Sequence, residues 1–403
     1  MITSGTNKKD SILGTDFSDS IDGLGGNDTI EGGGGGDRII GGAGNDILSA
    51  FKSYDDNEFV SEWLNLFGDD VDYLYGGVGN DIYILDSWVI GDHGQVFIIE
   101  ELNQGTDTII GSVSRSRPSF TMPENIENYV NDTSLSDNGT PIYVEVTGNN
   151  LNNLIQTGPK SWNDIYKLTS GIDEFHNSYE FFSGGDGNDT LKTGAGDDIL
   201  DGGNGNDKLY GGNDNDTLIG GAGADSIDGG FGSDVATFTS ALAGISVDLN
   251  KGTAKSTTGN DTAGIGSDKL SNIENVIAGN YADTITGSKV SNTLTGGYGN
   301  DTFIFNTKLN AQTNVDTITD FTSGDKIALA GSIFSKLKAD KDLSDNFALN
   351  SSNTVKEYLI YNSSTGKLYY DADGNANKSQ PIEVAIIGVD SHPTLTASDF
   401  SII

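Results

Sequence analysis

Residues 184–237 read GGDGNDTLK, TGAGDDILD, GGNGNDKLY, GGNDNDTLI, GGAGADSID and GGFGSDVAT, which are six nonapeptides in unbroken phase. Aspartate occupies the sixth position of every copy, and an aliphatic residue occupies the eighth position in five, with Ala236 in the last. A nine-residue period fits neither a helix nor a hairpin ladder. It fits a coil in which a glycine-rich turn of about six residues alternates with a strand of about three. The stretch therefore predicts an all-β fold, a parallel β-roll or β-helix solenoid.

Two nonapeptides complete one coil of this solenoid, so residues two repeats apart stack on one another. Asp189, Asp207 and Asp225 then line one edge. Carboxylates in neighbouring coils, about 5 Å apart, repel by roughly 3 kcal/mol at an effective dielectric constant near 20. Such an edge needs a cation between coils, and hard oxygen ligands from carboxylates and turn carbonyls select Ca²⁺ rather than zinc or copper. A flexible linker would have no reason to hold aspartate and an aliphatic residue in register.

The pattern resembles that of the RTX family, the calcium-binding β-roll proteins, whose repeat is G-G-x-G-x-D-x-U-x with U a large aliphatic residue. Three further segments, VDTITDFTSGDKIAL (315–329), YLIYNSSTGKLYYDADGN (358–375) and LTASDFSII (395–403), look like the terminal region of RTX proteins. In that family the region covers the open end of the roll and carries an uncleaved signal for type I secretion. The resemblance therefore implies multiple Ca²⁺ ions as cofactors and the type I secretion machinery as a partner during export.

Two shorter blocks share the repeat. The first begins with a degenerate copy at 14–22, continues through GLGGNDTIE, GGGGGDRII and GGAGNDILS (23–49), and resumes with an imperfect copy near Asp72 and GGVGNDIYI (76–84). The third ends with GGYGNDTFI (296–304). Asparagine replaces the key aspartate at Asn292 and at Asn153, where we expect no strong calcium site. The segments PENIENYV (123–130) and LSNIENVI (270–277) are related to each other and indicate a larger duplication.

The predicted calcium ligands are one carboxylate from each intact or nearly intact copy, together with backbone carbonyls of the turns. The carboxylates are those of Asp19, Asp28, Asp37, Asp46, Asp72, Asp81, Asp189, Asp198, Asp207, Asp216, Asp225, Asp234, Asp283 and Asp301. The carbonyls are those of Gly23, Gly25, Asn27, Gly32, Gly34, Gly41, Ala43, Gly184, Asp186, Gly202, Asn204, Gly211, Asn213, Gly220, Ala222 and Gly296.

The blocks divide the chain into six predicted segments. Residues 1–85 form the first roll block, 86–147 a β-strand spacer, 148–237 the second block, 238–277 a second spacer, 278–304 the third block, and 305–403 the C-terminal capping and secretion-signal region. Within that last region, STGKLYY predicts a hairpin turn between Tyr361 and Tyr369. Asp371, Asp373 and Asn375 alternate like the start of an EF-hand loop, but Ile382 stands where that loop needs glutamate, so a plain turn is the better interpretation.

Two inserts interrupt the rolls. Apolar residues recur at helical spacing within 50–67, which predicts an amphipathic helix that either caps the roll or binds a partner. The second insert, 157–183, is rich in aromatic residues and either packs on the roll or docks a sugar or protein by its ring faces.

Composition limits the classes of partner. A net charge of −37 disfavours nucleic acid and anionic membrane surfaces as partners, and no apolar run reaches the length of a membrane span. There is no cysteine, so we expect a structural metal to take the place of disulfides. The N-terminus lacks an apolar run of signal-peptide length. Because cytosolic calcium is too scarce to fill sites of this kind, we expect secretion by a signal elsewhere in the chain.

Motifs of common hydrolases are missing from the sequence. Its three histidines are His93, His176 and His392; none lies in H-E-x-x-H, and no G-x-S-x-G occurs. We therefore expect a secreted, non-enzymatic protein with a structural or interaction role at the cell exterior, as a surface layer, sheath, matrix component or adhesin. Its expected partners are further copies of the chain or a cell-surface polysaccharide or protein. Two alternatives stay open: a lytic toxin, or a hydrolase using acidic residues outside the repeats, namely Asp55, Asp56, Glu58, Glu174 and Glu180.

Overall fold

The computed structural model describes residues 1–50, 71–85, 95–111, 119–131, 143–157, 179–258, 261, 263–338, 343–350, 357–374, 380–389 and 391–403. These residues fall into two compact units, Met1–Asn213 and Asp214–Ile403. The predicted helix at 50–67 and most of the aromatic insert lie outside the described residues.

Short strands make up the first unit. They are β1 (Ile2–Ser4), β2 (Ser11–Leu13), β3 (Ser20–Asp22), β4 (Thr29–Glu31), β5 (Arg38–Ala43), β6 (Ile47–Ser49), β7 (Val71–Val78), β8 (Ile82–Leu85), β9 (Gln95–Ile99), β10 (Thr108–Gly111), β11 (Ser119–Thr121), β12 (Asn128–Asn131), β13 (Tyr143–Thr147), β14 (Leu154–Thr157), β15 (Tyr179–Asp186), β16 (Thr190–Lys192), β17 (Ile199–Asn204) and β18 (Lys208–Asn213).

Strands of the first unit pair with every second strand along the chain, always in parallel. On one face β1 pairs with β3, β3 with β5, β5 with β7 and β7 with β9, and a second run leads from β11 through β13 and β15 to β17. On the other face the even-numbered strands form one ladder from β2 to β18. This alternation is a β-roll. It includes β9 to β13, which lie in the segment 86–147 that the sequence predicts only as a strand-forming spacer.

Aliphatic residues at the eighth repeat position fill the space between the two faces. Ile21, Ile30, Ile39 and Leu48 are all fully buried. The residue that stacks on Leu48 is Tyr83, which is also fully buried. Each short strand thus places its central side chain inside and its two flanking side chains outside, because successive strand residues face opposite sides.

The second unit contains further strands and two short 3₁₀ helices. The strands are β19 (Thr217–Ile219), β20 (Ser226–Phe231), β21 (Val235–Thr237), β22 (Ile245–Asp248), β23 (Thr253–Ser256), β24 (Ser267–Ser271), β25 (Asn275–Gly279), β26 (Thr284–Thr286), β27 (Thr293–Gly297), β28 (Thr302–Phe305), β29 (Asp316–Ile318), β30 (Lys326–Leu329), β31 (Phe347–Leu349), β32 (Leu359–Asn362), β33 (Lys367–Tyr370), β34 (Ile382–Ile387) and β35 (Phe400–Ile402). The 3₁₀ helices span Leu343–Asp345 and Ala397–Asp399.

Parallel pairing also dominates the second unit. One face runs β19–β21–β25–β27–β29–β34 and then turns antiparallel through β33 and β32. On the other face β23 lies antiparallel between β22 and β24, while β22, β26, β28, β30 and β35 pair in parallel. The antiparallel insertion keeps the face continuous where the repeat is interrupted. The hairpin predicted from STGKLYY is confirmed by the antiparallel pairing of β32 with β33.

The structure confirms the predicted fold class, an all-β parallel β-roll built on glycine- and aspartate-rich repeats. In the part of the chain that is described, no helix has both the length and the hydropathy of a membrane span.

Candidate calcium centre

Repeat aspartates are linked from coil to coil by a hydrogen-bond ladder. The backbone N–H of Asp10 donates to Asp28 Oδ1 at 2.8 Å, and the N–H of Asp28 donates to Asp46 Oδ1 at the same distance. The pattern continues from Asp46 to Asp81 at 2.7 Å, and it recurs from Asp189 to Asp207 at 2.7 Å. Each carboxylate is therefore held in place by one of its two oxygens, and the direction of the ladder is the same throughout.

The second oxygen of these carboxylates is buried without a hydrogen bond. Among the described residues, Oδ2 of Asp28, Asp37, Asp46, Asp81, Asp189 and Asp234 has no hydrogen-bond partner. An ionised carboxylate oxygen that is removed from water without a partner costs several kcal/mol, so such atoms call for a proton or a cation. The lack of a donor at a repeated, identical position indicates a place built for a cation.

A cradle beside this oxygen is formed by the first glycine of each repeat. A Cβ atom on Gly23 would lie 2.6 Å from Asp28 Oδ2 and 2.5 Å from the carbonyl oxygen of Gly41, one coil on. On Gly41 it would lie 2.5 Å from Asp46 Oδ2 and 2.8 Å from the Gly76 carbonyl oxygen. Neither glycine is in the left-handed region, unlike Gly42 with φ of 107°. Glycine is thus needed at the first position for space, where a carboxylate and a carbonyl oxygen converge.

Asparagine at the same ladder position has no such unsatisfied oxygen. Asn153 Oδ1 accepts the N–H of Asn149 at 2.9 Å, and its Nδ2 donates to the Glu127 carbonyl at 3.3 Å. Asn292 repeats the arrangement: its Oδ1 accepts the Ser288 N–H at 2.6 Å and its Nδ2 donates to the carbonyl of Glu274 at 2.7 Å. An amide therefore closes the step with protein hydrogen bonds, whereas a carboxylate leaves an oxygen facing the cradle.

The two related IEN segments explain where these amide steps occur. Glu127 Oε2 accepts the N–H of Asp107 at 2.8 Å, and Glu274 Oε2 accepts the N–H of Asp234 at 3.0 Å. The next ladder position after each glutamate holds an asparagine. The N–H of Asn153 donates to Asp189, and the N–H of Asn292 donates to Asp316. Among the described residues, both units therefore contain the ladder series Asp–Glu–Asn–Asp. At the asparagine of each series, protein hydrogen bonds take the place of a metal ion.

Burial raises the pKa of the ladder carboxyls. The pKa of Asp37, Asp81 and Asp189 rises to about 7, because desolvation penalises the charged form and neighbouring carboxylates repel it. The pKa of Asp207 and Asp301 rises to about 6 for the same first reason. A bound divalent cation would reverse this effect, since a positive charge beside the carboxylate favours ionisation.

All of the predicted aspartate ligands are buried, including those of the degenerate copies. Carbonyls of the first repeat position, such as those of Gly41 and Gly202, face the cradle of the preceding coil. Some carbonyls of the third position accept hydrogen bonds instead: Ala43 accepts from the Gly26 N–H at 2.7 Å and Asn204 from the Gly187 N–H at 2.8 Å. The first-position carbonyls are therefore better placed as ligands. Two of these aspartates have a hydrogen-bonded Oδ2. Asp19 Oδ2 accepts the Thr15 N–H at 2.6 Å, while its carboxylate also contacts the Met1 ammonium, and Asp283 Oδ2 accepts the Gly279 N–H at 3.1 Å.

Five aspartates outside the predicted set occupy ladder positions among the described residues. One is Asp10, whose N–H donates to Asp28 Oδ1. Asp107, Asp268, Asp316 and Asp325 accept the backbone N–H of Asp81, Asp225, Asn292 and Asp301 at 2.8, 2.9, 3.0 and 2.9 Å, respectively. Each is followed two residues later by Ile or Leu. An aspartate followed two positions later by an aliphatic residue is therefore the signal that finds them where the glycine pattern of the turn is incomplete.

Comparison with known proteins identifies the repeats. A family model for the RTX calcium-binding nonapeptide repeat matches residues 4–50, 68–86, 180–209, 201–236 and 277–306. The crystal structure of extracellular lipase LipA from Serratia marcescens is similar to this chain at 13% identity, with 74% of this chain and 45% of the lipase covered. Its TM-score of 0.16 carries no argument about function. The chain thus spans less than half of the lipase, and no curated protein matches it.

Replacing Asp28 by asparagine should have opposite effects with and without calcium. In chelator the variant should be at least as stable as the wild type, because a buried unpaired charge is removed and an amide can close the step as in Asn153. At a calcium concentration about ten times Kd it should lose about 1.4 kcal/mol of stabilisation. Circular dichroism compares the strand content of the two proteins in chelator, and urea unfolding compares their stability with calcium. Asp16, which is exposed, supplies the control variant Asp16→Asn; equal effects of the two substitutions would contradict the assignment.

Replacing Gly23 by alanine should weaken calcium binding by filling the cradle. Gly25→Ala is the matched control, because a Cβ there would meet nothing nearer than 3.4 Å and the equivalent residue one coil on is Ala43. Calcium titrations followed by circular dichroism should show a higher midpoint for Gly23→Ala only. A normal midpoint for both variants would show that the cradle holds no ion.

The chelated protein should gain structure as the pH falls. Its ladder carboxyls bind protons more tightly when folded, with pKa values of about 6 to 7, than when unfolded, near 3.9. Their contribution to the stability of the metal-free fold is therefore complete below about pH 4 and lost as the pH rises through about 6 to 7. Circular dichroism in chelator should show more strand at pH 5 than at pH 8. The opposite trend would contradict the burial of these groups.

Proposed function

Because this chain belongs to the RTX family of calcium-binding repeat proteins, we propose that it is secreted, folds on extracellular Ca²⁺ and serves a structural or interaction role at the cell exterior. Surface layer, sheath, matrix component and adhesin are the forms of that role that fit a solenoid scaffold. In its sharper form the proposal is that calcium-loaded copies of the chain associate with one another.

Calcium dependence follows from the buried carboxylates. A site filled at about ten times its Kd contributes about 1.4 kcal/mol, so the six unpartnered oxygens together represent about 8 kcal/mol, which is comparable with the whole stability of a typical domain. Extracellular-type sites bind with Kd near 10⁻⁴ to 10⁻³ M, so almost none of this stabilisation is available at cytosolic calcium. Such a chain stays unfolded until it leaves the cell, which suits export by the type I machinery.

An exposed aromatic strip supports the interaction role, and it is the observation on which the proposal chiefly rests. On the outer face of β7 and β9, the rings of Tyr73 and Phe97 stack with their centroids 5.4 Å apart, and 39% and 45% of these residues is exposed. Ile99, directly opposite Tyr75, is 39% exposed, and the Arg38 guanidinium lies 4.9 Å from the centre of the Tyr75 ring. Contiguous apolar surface with a polar rim is typical of an interaction site.

The alternative function, a hydrolase that uses a pair of acidic residues, is not supported by Glu180, which is the one candidate residue among those described. Glu180 is buried, its N–H donates to Asp198 Oδ1 at 2.8 Å, and its carboxylate accepts the Thr157 hydroxyl at 3.3 Å. It therefore occupies a ladder position within the roll. The other residues of that alternative, Asp55, Asp56, Glu58 and Glu174, lie outside the described residues.

Static light scattering tests the assembly of the folded protein. With millimolar calcium the wild type should form oligomers whose mass grows with protein concentration, and the double variant Tyr73→Ser, Phe97→Ser should remain monomeric. Tyr298→Ser is the control, because Tyr298 is 80% exposed and belongs to the other compact unit, where it lies in a turn. A wild type that stays monomeric at high concentration would rule out self-association and favour a soluble binder of another surface molecule.

A further inference from the structure

Three buried carboxylates meet where the regular repeat of the first block ends. Asp81 precedes β8, Glu100 follows β9 and Asp107 precedes β10. Each offers an oxygen atom that lies within 4.8 Å of the others, and the three residues are 0%, 8% and 2% exposed. Only Asp81 belongs to an intact nonapeptide, so this group is not one more copy of the repeat.

The site differs from a regular step in what surrounds its glycine. At Gly23 and Gly41 the cradle combines one carboxylate oxygen with a carbonyl oxygen from the next coil. At Gly76 the nearest atoms are instead Glu100 Oε1, Asp81 Oδ2 and the hydroxyl of Tyr83. Glu100 thus brings an additional negative charge to a position that a neutral carbonyl holds elsewhere.

Protein hydrogen bonds satisfy only part of this group. The Tyr83 hydroxyl donates to Glu100 Oε1 and accepts the N–H of Gly76 at 2.8 Å, while Asp107 Oδ1 accepts the N–H of Asp81 at 2.8 Å. Within the described residues, Asp81 Oδ2 and Glu100 Oε2 have no hydrogen-bond partner, and no lysine or arginine forms an ion pair with any of the three carboxylates. Two buried carboxylate oxygens therefore have neither a hydrogen bond nor an ion pair with a basic side chain.

We propose that Asp81, Glu100 and Asp107 form a separate calcium site that binds Ca²⁺ more tightly than the regular steps of the roll. Calcium affinity rises with the number of charged ligands and with the rigidity of the site. Here three buried carboxylates converge; the Tyr83 hydroxyl holds Glu100, and the ladder hydrogen bond holds Asp107. This inference goes beyond the proposed function and does not depend on whether the folded protein assembles.

Equilibrium dialysis of the full chain with radioactive Ca²⁺ tests the inference. The wild type should bind about one ion per chain at least about tenfold more tightly than the rest, and Glu100→Gln should merge that ion with the weaker class. Glutamine keeps an oxygen that can accept the Tyr83 hydroxyl. Glu101→Gln is the matched control, since Glu101 is the adjacent residue and is exposed. A single affinity class in the wild type, or a tight ion that survives Glu100→Gln, would overturn the proposal.

A second measurement keeps the test decisive if Glu100→Gln does not fold at saturating calcium. Substoichiometric Tb³⁺ should occupy the most highly charged site first, and tyrosine excitation should then sensitise its emission through Tyr83. Tyr83→Phe should abolish most of this emission. Tyr129→Phe should preserve it, because the Tyr129 hydroxyl donates to the Gly111 carbonyl at 2.9 Å, whereas the Tyr83 hydroxyl donates to Glu100 itself. Equal losses in the two variants would overturn the proposal, whereas a chain that shows no calcium response at all would contradict the proposed function itself.

Discussion

The backbone N–H of a ladder aspartate donates to a carboxylate oxygen of the residue one coil further along, and this hydrogen bond couples the stacking of coils to the burial of charge. Asp28, for example, is held by Asp10 and itself holds Asp46. The same bond fixes the direction of Oδ2, which faces the cradle at the first glycine of the repeat. The fold can therefore not form its core without also enclosing a column of anionic oxygens.

Calcium resolves the conflict that the ladder creates. A raised pKa at Asp37, Asp81 or Asp189 shows that the metal-free fold favours a proton at these oxygens, so at neutral pH burial and ionisation oppose each other. Asn153 and Asn292 mark the steps at which the chain avoids this conflict with an amide, and each follows a glutamate of an IEN segment. Runs of aspartate steps are thus interrupted in each unit by a step that the protein satisfies with an amide.

The period of nine and the alternation of aspartate with an aliphatic residue were sufficient to predict the parallel roll, because they specify turn, strand and core in every copy. The ladder aspartates Asp107, Asp268, Asp316 and Asp325 were not predicted, because the glycine pattern of their turns is incomplete. Each nevertheless keeps an Ile or Leu two positions later. The hydrogen bond from the Tyr83 hydroxyl to Glu100 could not be predicted from the sequence, because it joins residues from different strands. Likewise, a sequence does not show which turn carbonyl faces the cradle.

The central claim, that Ca²⁺ is required to complete the ladder, is tested most directly by far-ultraviolet circular dichroism during a calcium titration at neutral pH. In excess chelator the chain should show little strand, and strand signal should appear cooperatively as free calcium rises through about 10⁻⁴ to 10⁻³ M. Magnesium at the same concentration should not substitute, because it demands a smaller octahedral site and retains its water. A chain equally rich in strand in excess chelator would contradict the account.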